Sequence, residues 1–392
     1  MTIMTALRPL TVICTFTFGA MLCMGSLPFM VGGFVEQLGF SLATAGRIAS
    51  VEATSMAVAC AVTAWIARRQ INLRVIVIVG TALLGISNLA CTWAGQPEFF
   101  GIARGASGFA TGLIYSAGNL YIARIEKPDR LFAVYYGVGV FAAAVGLLLA
   151  PELVGRLGIH AAYASFGCAA MLALLAVPFY PQKSASLSTQ PGIDVAVATH
   201  ASRAGGLLIL FALLVNYAFN GGIWIYFERI GFALHMEPDQ LGLVLSVGTL
   251  LGLLGSLASV ALGTRLGRFF PIAIGHVLSM VSVGLLQGAS IGGFYAAAAL
   301  LNVAITLLTP YCLGALALTD RDGRMALLGT FALLAGYGLG PALISTLLRG
   351  QDFQSALFWT QAAFVLTLLM FSLAFYLLRT PRPVGRPVGH KA

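Results

Sequence analysis

The chain alternates long apolar runs with short polar turns. The runs fall at about 10–34, 42–67, 75–94, 99–123, 132–155, 159–180, 204–232, 240–263, 271–289, 292–318, 326–348 and 356–378. Each is close to the roughly 20 residues that a helix needs to cross the hydrocarbon of a bilayer. The pattern predicts twelve spanning helices, six on each side of a linker rich in Ser, Thr and Gly. The expected organisation is an all-α membrane protein: one six-helix bundle over residues 1–181, a cytoplasmic linker over 182–203, a second bundle over 204–379, and a disordered basic tail over 380–392.

The two halves repeat one another. At a constant offset, Gly46, Ser50, Val51 and Arg69 fall on Gly242, Ser246, Val247 and Arg265, and Ile76 and Ile78 fall on Ile272 and Ile274. Each stretch begins at a polar cap, crosses about one bilayer thickness and stops at an arginine cluster. Parallel halves of this kind are typical of secondary transporters, in which the solute binds at the interface between repeats.

Composition narrows the field. Of 392 residues 59% are hydrophobic and 9% charged, against about 25% charged in a soluble domain, so the chain cannot cover a water-facing surface. The formal charge of +9 does not indicate nucleic acid, because the cations sit in turns and in the tail and not in a stripe interleaved with aromatics. With the N-terminus inside, one side collects Arg8, Arg68, Arg69, Arg74, Arg124, Lys127, Arg130, Lys183, Arg203, Arg265, Arg268, Arg321 and Arg324, and the basic residues of the tail. The other side and the span interiors keep only Arg47, Arg104, Arg156, Arg229 and Arg349. By the positive-inside rule both termini are expected in the cytoplasm, across a plasma (bacterial inner) membrane. The first run is too long for a signal segment and is expected to stay as an anchor. Cys14, Cys23, Cys60, Cys91, Cys168 and Cys312 lie inside apolar runs with no C-x-x-C or His pair, so neither a disulfide framework nor a metal or other cofactor is expected.

Twelve spans in two halves, with basic turns after spans 2 and 8, resemble the major facilitator superfamily. That family carries G-x-L-a-D-r-x-G-r in the turn after span 2. Here the second copy reads Val260-Ala261-Leu262-Gly263-Thr264-Arg265-Leu266-Gly267-Arg268, lacking the first Gly and the Asp, while the first copy has Arg68 and Ile71 where the family has Asp and Gly. Arg104, Gly108 and Gly112 match the R-x-x-x-G-x-x-x-G of span 4. Gly137, Gly146, Pro151 and Gly155 match part of the span 5 pattern of the family's proton antiporters, and Gly336, Gly340 and Pro341 repeat its core in span 11. The resemblance implies alternating access between two bundles. It makes Arg69, Arg265, Arg268, Pro151, Gly340 and Pro341 candidate gating positions, and it favours efflux.

The polar residues within spans are the candidates for chemistry. Glu52 stands out as an acidic residue well inside a span, where a charge costs about 2.5–3.5 kcal/mol on insertion scales. A buried carboxylate near a cation can exchange a proton as a site alternates between faces, and Arg104 is its expected partner. Arg47, five residues from Glu52, lies about 140° round the same helix and is a poor one. In span 4, Arg104, Thr111, Tyr115 and Asn119 form a polar stripe. Span 7 carries Asn216, Asn220 and Trp224, with Gly221-Gly222 as an expected interruption, and span 10 adds Asn302 and Tyr311. Trp224, Tyr226, Glu228 and Arg229 read either as an interfacial belt or as an outer gate, and His276 reads as structural. Aromatic and amide groups around few charges suit an amphipathic organic molecule.

The expectation is a monomeric transporter of a small organic solute, driven by protons, working as an antiporter. Proton-linked uptake of an organic anion anchored by Arg104 is the alternative. An intramembrane enzyme or lipid-handling protein would need a paired nucleophile and base or clustered ligands, and the sequence has no H-E-x-x-H, G-x-S-x-G or Walker pattern.

Overall fold

The computed structural model describes residues 3–66, 72–122, 129–181, 200–317, 319, 324–348 and 352–379. The linker over 182–199, the tail over 380–392 and Arg69 lie outside the described residues. The described residues form fourteen α-helices: α1 (Ile3–Gly25), α2 (Leu27–Glu36), α3 (Leu42–Ile66), α4 (Leu73–Ala90), α5 (Pro97–Ile122), α6 (Asp129–Glu152), α7 (Ile159–Ala173), α8 (His200–Ile225), α9 (Phe227–Ala233), α10 (Pro238–Leu262), α11 (Phe269–Gln287), α12 (Ile291–Ala317), α13 (Arg324–Leu347) and α14 (Gln354–Arg379).

Their ends follow the expected chemistry. Asn72 caps α4 by accepting from the Arg74 amide at 3.0 Å, and Pro28 and Pro238 stand in the first turns of α2 and α10. There the missing N–H leaves no gap in the ladder. Gly263 ends α10 with φ +51°, a left-handed conformation that suits a residue without Cβ.

Among the described residues ten helices are long and apolar enough to cross a membrane. The α1–α2 pair, bent by 41° at Ser26, makes an eleventh if counted as one span. The 26-residue α5, which carries Arg104, falls outside that set. One expectation is corrected. Gly221-Gly222 does not interrupt its helix: α8 runs on to Ile225, and the break comes at Tyr226. The two glycines instead let α13 approach, since a Cβ on Gly221 would meet the Tyr337 ring and one on Gly222 would meet the Gly340 carbonyl.

The apolar core is divided by level. At the end of the bundle away from Arg74, Arg265 and Arg268, a single cluster joins both halves of the chain; Phe34, Phe100 and Tyr163 belong to it along with Phe227, Phe294 and Phe364. At the basic end there are two clusters instead. One contains Phe16, Ala59, Leu73 and Tyr135, all from the first half. The other contains Ile209, Ile272, Leu308 and Phe371, all from the second. The halves are fused at the far end and keep separate cores at the basic end.

Candidate functional site

Arg104 on α5 and Glu52 on α3 are 0% and 1% exposed, and they form a two-pronged ion pair. Arg104 Nε donates to Glu52 Oε2 at 3.0 Å and Nη2 donates to Oε1. The remaining guanidinium edge is also committed. Nη1 donates to Asn88 Oδ1 of α4 at 2.9 Å, Nη2 reaches Cys23 Sγ of α1 at 3.6 Å, and the Tyr163 ring of α7 lies 4.5 Å away. A planar, five-donor guanidinium suits such a cage, and a buried pair tolerates its desolvation only when the spare donors are satisfied in this way. All five contributing helices belong to the first half of the chain.

The glycines of span 4 explain how the pair can form. A Cβ on Gly108 would overlap the Glu52 backbone carbonyl, and one on Gly112 would meet the Met56 carbonyl. The R-x-x-x-G-x-x-x-G spacing therefore brings α5 onto the backbone of α3 at the level where the carboxylate must be reached.

The other expected solute contacts fall in several places. Tyr115 lies eleven residues beyond Arg104, about 16 Å along the axis of α5. It packs against Tyr135 at 5.5 Å and Tyr136 at 6.2 Å, and its carbonyl accepts from the Tyr135 hydroxyl. Asn119 stands one turn further on, with its Oδ1 buried and unpartnered among the described residues. In the second half Asn216 Nδ2 meets His276 Nε2 at 3.2 Å, and His276 also contacts Thr367 and the Ile272 carbonyl. This network lies inside the second half. Asn220, one turn above, is buried with a free Nδ2 among the described residues. Trp224 packs on Phe227 at 5.2 Å. Asn302 bonds back to the Ala298 carbonyl, and Tyr311 reaches across to the Ser259 carbonyl at 3.1 Å. The pair of Glu52 and Arg104 is brought together as expected; the remaining residues are spread over separate faces.

The expected gating positions divide in the same way. Arg265 is exposed in the turn after α10, and Arg268 is half-buried beside Gly314. Pro151, Gly340 and Pro341 lie nearer the far end. Pro151 of α6 packs on Gly242 of α10 across one seam between the halves. Pro341 of α13 stands at the other seam, where its carbonyl faces Gly46 of α3 and the Tyr226 hydroxyl. There Ser50 Oγ accepts from the Ala342 amide at 2.7 Å. Gly46 and Gly242, matched in the sequence repeat, hold corresponding places on the two seams.

A further group at the far end joins the halves. Arg229 of α9 donates to Glu36 of α2 at 2.8 Å and to the buried Glu228 at 2.6 Å. Glu36 was not among the sequence candidates, nor were Asn88, Cys23 and Tyr163. The signal for Glu36 was present: the first span of each half ends in charge, Glu36 in one and Glu228 with Arg229 in the other.

Two similar helical halves, apolar enough for a bilayer and joined at one end over buried charged groups, have the architecture of a membrane transporter. Residues 12–207, half of the chain, match the sequence profile described as Major Facilitator Superfamily. The chain belongs to that family and is a transporter, not an enzyme. No curated protein matches the sequence. Solved structures share the fold at low identity. The nucleoside transporter NupG superposes with a TM-score of 0.76 at 13% identity, covering 93% of this chain and 98% of that one. A POT family transporter in complex with 5-aminolevulinic acid gives 0.74 at 14% identity, covering 94% and 96%. A bacterial homologue of the lysosomal transporter Spinster, inward-facing and occupied, gives 0.70 at 11% identity, covering 95% and 96%.

Proposed function

We propose that the protein is a proton-coupled secondary transporter that exports a small amphipathic organic solute by alternating access. Its twelve spans form two six-helix bundles in a bacterial inner membrane with both termini in the cytoplasm, and it acts as a monomer. The observation that carries this reading is the split core. One apolar cluster bridges the halves at the far end, while at the basic end each half keeps its own. On the positive-inside assignment the far end is periplasmic, and the conformation is closed outside and parted inside.

The coupling scheme runs through α3. Ser50 and Glu52 are two residues apart, about 200° round the helix. One bonds to α13 in the second half and the other to α5 in the first. Neutralising Glu52 removes the charge that holds α3 to Arg104, so α3 is freer to move with the seam. Release of that proton to the other side restores the Glu52 charge and with it the clamp. Solute lines the gap between bundles, with Tyr115, Asn119, Asn220 and Trp224 as its proposed contacts. Uptake of an organic anion anchored by Arg104 is disfavoured because that guanidinium is already bonded to Glu52, Asn88 and Cys23.

The test is transport of labelled solute in vesicles of known orientation, with and without a pH gradient. Glu52→Gln is expected to abolish gradient-driven movement while leaving solute exchange. Gradient dependence equal to wild type would reduce the pair to a structural clamp.

A further inference from the structure

Within the first half, α1, α4, α5 and α7 enclose a crevice of about 90 Å³. Phe16, Leu84, Ile114, Phe166 and Ala170 make its wall apolar. Its lip is formed by the exposed Thr15, Gly19 and Ala169. Because α7 packs on α1, α2 and α4, all in the first half, its exposed face points outward toward lipid.

One polar group in that wall has unused bonding capacity. Thr81 is 2% exposed, and its Oγ1 has no hydrogen-bond partner among the described residues. Asn88, also in the wall, is committed to Arg104, Ser107 and the Leu84 carbonyl, and Thr15 donates to the Thr11 carbonyl. Water needs two to four polar partners in a buried site, and an apolar cavity stays dry. A lipid chain would fill the space and leave the hydroxyl orphaned at full desolvation cost.

We propose that the crevice binds a slim apolar alcohol from the bilayer, its hydroxyl bonded to Thr81 Oγ1 and its chain lying along the wall to the lip. The inner wall includes Cys23 and Asn88, which both hold Arg104. An occupant therefore bears on the Glu52–Arg104 pair. That consequence rests on the coupling scheme above; the binding does not.

The experiment photolabels the purified full chain in nanodiscs with 3-azioctanol and maps the adduct by mass spectrometry. Label is expected on α1, α4 and α7 around Thr81, competed by 1-octanol and not by octane. Thr81→Val keeps the shape, removes one hydrogen bond, and is expected to cut labelling about fivefold. Gly19→Phe is expected to abolish it; an added Cβ there meets nothing within 4 Å, so the helix tolerates the change. Ala169→Phe blocks from the other lip and serves if the first variant is unstable. Label spread evenly over the lipid-facing helices, or unchanged by either blocking variant, overturns the site. Loss in the blocking variants with no effect of Thr81→Val overturns the alcohol in favour of a bare acyl chain.

Discussion

The hydroxyl of Ser50 accepts a hydrogen bond from the backbone amide of Ala342 at 2.7 Å, tying α3 of one half to α13 of the other. Ser50→Ala removes this bond between the halves in the far-end-closed form, at a cost of about 0.5–1.5 kcal/mol. The conformational balance is expected to move about two- to tenfold toward the form open at the far end. Spin labels at Leu38 and Glu237, on opposite halves at that end, would report it as a longer distance population. An unchanged distribution would remove Ser50 from the seam.

Breaking the Glu52–Arg104 pair from one side leaves a buried charge unpaired, which costs about 3–5 kcal/mol. Arg104→Met is therefore expected to lower the thermal unfolding midpoint more than the double variant Glu52→Leu with Arg104→Met. Arg104→Lys is expected to fall well short of wild type, because an ammonium cannot serve two carboxylate oxygens and Asn88 in one plane. A fully additive double variant would count against coupling between the two groups.

The packing of α5 on α3 gives a contrast between glycines. Gly108→Ala forces a Cβ into the Glu52 carbonyl and is expected to destabilise by about 1–3 kcal/mol. Gly137→Ala, where an added Cβ meets nothing within 4 Å, is expected to be neutral or to stabilise by up to about 1 kcal/mol through helix propensity. Denaturation of both proteins in the same detergent is the check.

At the far end, Glu36 is 51% exposed by side chain and Glu228 only 3%. Arg229→Ala strands the buried Glu228 and is expected to cost several kcal/mol, whereas Glu36→Gln removes a rim contact worth about 0–1 kcal/mol. The first is expected to open the far end in the spin-label measurement; the second is expected to leave it nearly unchanged.

Much of the fold was legible because membrane insertion writes it along the chain. Apolar runs of bilayer length marked the helices, and the Gly46–Gly242 match marked the repeat before any contact was known. The Glu52–Arg104 pair was legible for the same reason: a charge within an apolar run needs an opposite charge nearby. Its cage was not. Asn88, Cys23 and Tyr163 are unremarkable within their own helices and acquire a role only when α1, α4 and α7 converge on one guanidinium. Gly221-Gly222 misled because two glycines either break a helix or admit a neighbour, and only the position of α13 distinguishes these. The amides of α8 share a stripe in sequence, yet Asn216 turns inward to His276, a choice made by packing within the second half.

The seams join α3 to α13 and α10 to α6, and at Gly46, Gly242 and Gly338 the absence of a Cβ brings the backbones of the two helices close together. Such surfaces behave as smooth bearings and not as meshed gears. One helix can roll over the other without a sequence of rotamer jumps. The speed of switching should then depend mainly on how fast a few point fasteners, such as Ser50 and Arg229, let go.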